Sequence, residues 1–183
     1  MCKYQREVQA VHFGGNRLQI TLHTGVIYSD KKNPQSFCTS STNLKHDPIS
    51  IIAHLEPIFD EFIPADTEHL HFVSDSLSSQ YRNTAMFFLM IHKIIRPFPK
   101  LLSFTWNYSE SGHGKGSADG VGGTVKRTCD RVIARGEADI VNFEDFNRVV
   151  EGHISKVRLI SISGDRDEDL KSIVKELQTL KGE

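Results

Sequence analysis

The middle of the chain alternates between short strand patterns and a long apolar helix pattern. Residues His69–Ser74 and Leu101–Tyr108 read as strands, and the strongly apolar segment Gln80–Ile95 between them has helical spacing and stops before Arg96 and Pro97. An apolar helix of this length must bury its side chains against another layer of structure. This part of the chain therefore predicts an α/β fold in which helices pack on a sheet.

The patterns on either side of this segment extend the same architecture. A Gly-Gly-Asn turn between two alternating segments predicts a β-hairpin, and Asp47-Pro48 is typical of a helix start, with Pro57 expected to kink or split that helix. The other predicted strands and helices are Gln5–Phe13, Arg17–His23, Val26–Tyr28, Ser36–Ser41 and Val157–Ile162 (strands) and Thr124–Arg135, Phe143–Val150 and Asp165–Leu180 (helices). This order fits the ribonuclease-H-like fold, a mixed sheet with helices packed on it.

Composition limits the classes of protein to consider. A chain of 183 residues with 38% hydrophobic and 25% charged residues is long enough for one domain with a proper core. It has no apolar run long enough for a membrane span, no apolar signal segment near Met1, and three widely separated cysteines. We therefore expect a single domain in a reducing, intracellular compartment, the nucleus included, with no disulfide framework and no membrane partner.

Charge is unevenly distributed along the chain although the net charge is only −1. Residues 54–75 hold six acids and no lysine or arginine, whereas residues 76–135 hold nine bases against three acids. From residue 137 onward there are eleven acids and seven bases. A basic middle segment in a neutral chain is compatible with nucleic-acid binding, although charge runs are usually solvated faces.

A glycine-rich stretch follows the second strand of the middle segment. It reads S-E-S-G-H-G-K-G-S-A-D-G-V-G-G and contains His113, Lys115 and Asp119. Glycines permit close approach of the backbone to a ligand, and a cation, an imidazole and a carboxylate in one loop indicate a site for phosphate or metal. We expect His113 and Lys115 to contact a phosphate or assist a proton transfer, the alternative being solvent-exposed loop side chains.

The helix after this loop is basic. Arg127, Arg131 and Arg135 repeat every four residues and form one stripe, and Lys126 accompanies them. Such stripes bind phosphate backbones with salt-sensitive affinity that does not depend on sequence. We therefore predict that Lys115 and these four residues contact DNA.

Two aspartates occupy positions suited to a divalent metal. Asp75 comes directly after the strand His69–Ser74, and Asp119 lies at the start of the helix that follows the glycine-rich loop. If both lie at one edge of the sheet, their carboxylates can converge on Mg²⁺ or Mn²⁺ for phosphoryl transfer. The alternative is that each aspartate caps a helix.

Other metal and nucleotide motifs are weaker. The remaining histidines form no H-E-x-x-H pattern and no paired Cys/His pattern, so zinc is disfavoured. Gly114-Lys115 superficially matches the end of a P-loop, but Ser109 or Glu110 stands where the first glycine belongs and Gly116 follows the lysine.

Two long motifs resemble a known group of proteins. H-F-V-S-D-S-L-S-S-Q-Y-R-N and S-G-H-G-K-G-S-A-D-G-V-G-G-T-V-K-R, with the Trp106 strand between them, are similar to mostly uncharacterised, transposon-related invertebrate proteins. Their pattern reads approximately S-D-G-x-x-S-Q-Y-K-N … H-G-K-G-x-x-D-G-x-G-G-x-V-K. The resemblance implies a transposase- or integrase-type core with a ribonuclease-H-like fold and a metal-binding carboxylate triad. In it, Asp75 matches the second acid and Asp119 is assigned to the third.

The chain departs from this group in two places. Ser76 replaces the usual glycine after Asp75, and no aspartate matches the first acid, since Glu7 is the only acid before Asp30. We therefore expect a truncated or domesticated remnant, with an incomplete first strand and impaired catalysis. The alternatives are a non-enzymatic interaction domain with the same fold and a phosphate-handling enzyme that uses the glycine-rich loop differently.

Overall fold

The computed structural model describes residues 2–3, 19–29, 32–74, 83–108, 116–162 and 170–171. Three of the predicted site residues, Asp75, His113 and Lys115, lie outside these ranges. Most of the predicted N-terminal hairpin and most of the predicted C-terminal helix also lie outside them.

The described strands pair in two sheets. The first has the order β1 (Cys2–Lys3), β2 (Gln19–Ile27), β3 (Gln35–Ser41) and β6 (Val157–Ser161); β1–β2 and β2–β3 are antiparallel, and β3–β6 is parallel. The second consists of β4 (His69–Ser74) and β5 (Ser103–Tyr108), which are parallel. A mixed α/β fold with a small mixed sheet is therefore confirmed, and the ribonuclease-H-like topology stays a prediction.

The described helices are α1 (Pro48–Phe62), α2 (Thr84–Leu89), α3 (Ser117–Ala134) and α4 (Phe143–His153). Residues Met90–Ile95 continue α2 as a π-helix, in which the amide of Arg96 donates to the carbonyl of Ile91, five residues earlier. Within the described residues, no helix has both the length and the apolar character that a membrane crossing requires.

Helix α1 begins at the predicted residue. The side chain of Asp47 accepts a hydrogen bond of 2.9 Å from the amide of Ser50, and Pro48 fills the first helical position, where an amide hydrogen is not needed. Pro57 lies inside the helix and removes the donor for the carbonyl of Ala53. The helix nevertheless runs without interruption to Phe62, so of the two predicted outcomes the split is wrong and the kink stays a prediction. Burial of eight of the residues between Ser50 and Ile58 compensates for the lost hydrogen bond.

The described residues group into two compact units, and the prediction of a single domain is left open. The first unit contains residues 1–44 and 115–162, and its core is formed by one face of α3, one face of α4 and the buried positions of β2, β3 and β6. The buried members of this core are Ile20, Cys38, Val125, Cys129, Val132, Ile140, Phe146, Val149, Val150, Ile154 and Leu159.

The second unit contains residues 45–114 and 163–183. Its core joins α1, α2 and the π-helix, whose most buried side chains are Ile52, Leu55, Ile58, Met86, Leu89, Met90 and Ile94. Aromatic rings connect these helices to the parallel strands, since Phe59 of α1 lies 6.5 Å from the ring of Phe72 in β4. Among the described residues, this packing uses the face of β4–β5 that carries Phe72 and Trp106, since burial alternates along β4 and along β5 from Phe104.

Asp47→Ala is expected to lower the free energy of unfolding by about 1 kcal/mol, because the Ser50 amide loses its capping acceptor. Urea unfolding followed by circular dichroism measures the change. The control is Asp60→Ala, an exposed aspartate in the last turn of the same helix, which is expected to change stability by less than about 0.5 kcal/mol. Equal stability of wild type and Asp47→Ala would contradict the capping role.

Candidate nucleic-acid interface and metal site

The parallel pairing of β4 and β5 aligns the two strand ends that precede the predicted site. Pairing runs from His69 opposite Ser103 to Ser74 opposite Tyr108, so both strands end at the same edge of the sheet. Asp75 is the next residue after Ser74, and the glycine-rich stretch begins directly after Tyr108. Carboxyl ends of parallel strands are where α/β folds place ligands.

At this edge, the side chain of Trp106 in β5 contacts residues of β4 and of α2. Its indole Nε1 donates a hydrogen bond of 2.9 Å to the hydroxyl of Ser74, the last residue of β4. Its ring contacts Phe72 edge to face at 5.1 Å, stacks on Tyr108 at 5.4 Å and meets Phe87 of α2 at 5.8 Å. These contacts link both strands to the helix between them, and such aromatic pairs contribute energy beyond their buried area.

The second half of the glycine-rich stretch is helical, which corrects the predicted helix start at Thr124. Helix α3 begins at Ser117, seven residues earlier, with Gly116 as its N-cap. Asp119 is an exposed residue of the first turn and does not cap the helix, so the N-cap interpretation of Asp119 is wrong. A carboxylate in the first turn is still favourable because it interacts with the positive end of the helix dipole.

Contacts with β2 and the end of that strand explain why a glycine-rich segment is helical here. The hydroxyl of Thr24 donates to the carbonyl of Ala118 at 3.0 Å, and the hydroxyls of Tyr28 and Ser117 are 2.8 Å apart. Val121 is buried, and Gly122 lies so close to Thr24 that a β-carbon would come within 3.4 Å of its hydroxyl oxygen. Tertiary contacts therefore outweigh the low helix propensity of glycine.

The basic residues of α3 and its C-cap form an exposed surface, which we call the basic face: Lys126, Arg127, Arg131 and Arg135. Residues 127 to 135 span about 12 Å along the helix axis. Arg127 donates to the hydroxyl of Thr124 at 3.4 Å, and Arg135 forms an ion pair of 3.5 Å with Glu137. Lys126 and Arg131 have no ion pair among the described residues, so their charges are available to a ligand.

The C-terminal end of α3 is fixed by a glycine. Gly136 has φ of +67°, and its amide donates to the carbonyl of Ile133 while the amide of Glu137 donates to that of Val132. This is the Schellman arrangement, which ends a helix with a residue in the left-handed region. It holds Arg135 in the last turn at the end of the basic face.

The predicted site is only partly described. Asp119 and the basic face belong to the first unit, whereas Asp75 lies in the segment that follows β4, outside the described residues together with His113 and Lys115. Among the residues that the structure does describe, no group of three or more histidines, cysteines, aspartates and glutamates is arranged to hold a metal ion. The predicted Asp75–Asp119 metal pair therefore stays a prediction.

The chain belongs to a family defined by a domain of unknown function (DUF8701), whose model matches residues 1–182. No curated protein and no solved structure is significantly similar to the chain. Membership of this family carries no assigned activity.

Two glycine substitutions test the description of α3. Gly120→Ala is expected to raise the free energy of unfolding by up to about 1 kcal/mol, because its β-carbon meets no atom within 4 Å and alanine favours the helix. Gly136→Ala is expected to lower the free energy of unfolding by about 1–2 kcal/mol. A β-carbon at this position also meets no atom within 4 Å, but the positive φ of the residue is unfavourable for alanine. Chemical denaturation measures both, and destabilisation by Gly120→Ala would contradict a helix start at Ser117.

Proposed function

We propose that the chain is a transposase-like nucleic-acid-binding domain that contacts the phosphate backbone through the basic face of α3. The observation that carries the proposal is the exposure of Lys126, Arg127, Arg131 and Arg135 on α3 and its C-cap, with all but Arg135 free of ion pairs among the described residues. Exposed cations in a row are suited to a polyanion because each one displaces a condensed counterion.

The charge of this face limits the kind of binding to expect. Asp130 is exposed on the same helix, and Glu137 partly neutralises Arg135, so the face is only moderately positive. Contacts to phosphates alone carry no sequence information. We therefore propose weak, salt-sensitive binding to DNA of any sequence rather than recognition of a specific site.

The proposed class is a ribonuclease-H-like core. The order of elements supports it, since antiparallel strands β2 and β3 precede α1, and β4, α2 and β5 then form a parallel β-α-β unit. The described strands pair in two sheets rather than one. The ribonuclease-H-like part of the proposal therefore rests on element order and on the β-α-β unit.

The second part of the proposal is a partial carboxylate site for Mg²⁺ or Mn²⁺. Asp75 and Asp119 would supply oxygen ligands, and His113 and Lys115 would contact a phosphate or assist a proton transfer. What supports Asp75 in this role is its position directly after β4, whose parallel neighbour β5 ends at the same edge of the sheet. A hard divalent ion at such a site would stabilise the charge that develops on a phosphoryl group.

A protein-interaction domain is the second candidate. Phe87 of α2 and Ile91 of the π-helix are four residues apart and remain 45% and 49% exposed. Large apolar side chains at the surface favour contact with another protein or with a second copy of the chain. This candidate becomes the better one if the chain does not bind nucleic acid.

The double substitution Arg127→Ala with Arg131→Ala is expected to weaken binding to a DNA duplex at low salt. The plot of log K against log salt concentration has a negative slope, and loss of two phosphate contacts reduces the magnitude of that slope by about 2. Fluorescence anisotropy titrations of a labelled duplex at several salt concentrations measure both quantities.

The control removes the same charge from another surface of the first unit. Arg148 is exposed and paired only with Asp145 among the described residues, and Lys156 is exposed before β6, so Arg148→Ala with Lys156→Ala should leave affinity nearly unchanged. Equal affinities of the wild type and the Arg127/Arg131 variant would contradict the role of the basic face.

Mg²⁺ or Mn²⁺ is expected to raise the thermal midpoint of the wild type, because a ligand that binds only the folded state stabilises it. The rise should be lost in Asp75→Ala and in Asp119→Ala. Asp130→Ala is the control, since Asp130 is an exposed acid on the same helix as Asp119 but is not part of the predicted pair. If neither ion changes the thermal midpoint of the wild type, the proposed metal site is contradicted. The DNA-binding proposal is tested separately by the anisotropy titrations.

A further inference from the structure

On the basis of the proposed function, we infer that the surface on α3 binds single-stranded DNA in preference to a duplex, with a base stacked on Tyr28. Single strands of any sequence are bound by cations that follow the backbone and by aromatic side chains on which the bases stack. The arginines of the basic face supply the cations, and Tyr28 of the same unit supplies an exposed aromatic ring.

Tyr28 is accessible and is held at both ends. It comes directly after β2 and is 61% exposed, which is more than its backbone alone could account for. Its hydroxyl lies 2.8 Å from the hydroxyl of Ser117, the first residue of α3. This hydrogen bond restricts the side chain, so the ring loses little conformational freedom when a base stacks on it.

Tyr28 meets α3 on the side that carries the arginines. Residues three and four apart are neighbours on the surface of a helix. One such row, which we call the α3 row, starts at the residue that contacts Tyr28 and is exposed along its length: Ser117, Gly120, Thr124, Arg127 and Arg131. Tyr28 therefore lies at the N-terminal end of the α3 row, and the two arginines lie at its C-terminal end.

The guanidinium of Arg127 extends toward the N-terminal end of the α3 row. It donates to the hydroxyl of Thr124 at 3.4 Å, and a β-carbon on Gly123 would lie 2.9 Å from its Nη1 atom. Along the helix axis, residues 117 and 124 are about 10 Å apart. A stacked strand rises about 3.4 Å per nucleotide, so about three nucleotides cover this distance. A short strand can therefore contact Tyr28 and Arg127 at the same time.

The surface between Tyr28 and Arg127 is open. Gly120, near the middle of this stretch, has no side chain, and a β-carbon added there would meet no neighbouring atom within 4 Å. The sugar–phosphate backbone of a strand can therefore approach the helix closely at this point.

Stacking on Tyr28 favours a single strand over a duplex. In a duplex each base is paired and is covered by its neighbours, so a base can stack on a side chain only after it has been unpaired and unstacked. In a single strand the base offers its aromatic face without the cost of unpairing. A duplex can still place its phosphates on the arginines, so we expect both forms to bind and the single strand to bind more tightly.

Fluorescence anisotropy titrations of the full chain at low salt compare a labelled strand of about fifteen thymidines with a labelled duplex of the same length. The wild type should bind the single strand about fivefold more tightly. Tyr28→Ala should lower the affinity for the single strand by about tenfold, because the stacked base is lost, and should leave the affinity for the duplex within about twofold of the wild type.

Two further substitutions at the same position separate stacking from other effects. Tyr28→Phe keeps the ring and removes only the hydroxyl, so it should retain the affinity for the single strand to within about threefold. Tyr28→Leu is apolar but has no aromatic face, and should lose about as much affinity as Tyr28→Ala. Circular dichroism checks that each variant is folded.

The inference is overturned if the wild type binds the duplex as tightly as the single strand, or if Tyr28→Ala binds the single strand as the wild type does. In either case the proposed function still stands if Arg127→Ala with Arg131→Ala weakens binding to the duplex, so the two can fail separately. Absence of binding of either nucleic acid by the wild type would contradict both.

Discussion

The parallel pairing of β4 and β5 is the constraint on which the second unit depends. Parallel neighbours cannot be joined by a tight turn, so the chain must cross over, and α2 with its π-helical continuation lies in that connection. The crossover places the apolar helix against one face of the strands, where the ring of Trp106 contacts both Phe72 of β4 and Phe87 of α2. Apart from the exposed Val73, the other face carries polar residues, and there the register sets each histidine opposite a hydroxyl.

The first unit depends on the contact between α3 and the β2–β3 pair. Val125 and Cys129 of α3 are fully buried in the same core as Ile20 and Cys38 of the strands. Because this apolar face is fixed, the opposite face of the helix has to be exposed, and the arginines that repeat every four residues fall on it. The proposed nucleic-acid surface is thus a consequence of how the core of this unit is packed.

Local patterns in the sequence were sufficient to predict several helices and strands and the exposure of the basic face. The strand His69–Ser74 and the Asp47 N-cap are as predicted, because alternation and capping chemistry act over a few residues. The start of α3 was not predictable, since contacts from Thr24 and Tyr28, roughly ninety residues away, overcome glycine's helix propensity. The parallel β3–β6 pair and the His69–Ser103 contact also depend on long-range register, which no local pattern reveals.

We propose that nucleic acid contacts the chain through the basic face of α3. The most direct measurement is a nuclear magnetic resonance titration with a short DNA duplex, observing the Nε–H groups of the arginine side chains. The account predicts that the resonances of Arg127 and Arg131 shift with added DNA while that of Arg148, which is paired with Asp145 on α4, stays in place. Shifts at Arg148 without shifts at Arg127 and Arg131, or no shifts at all, would contradict it.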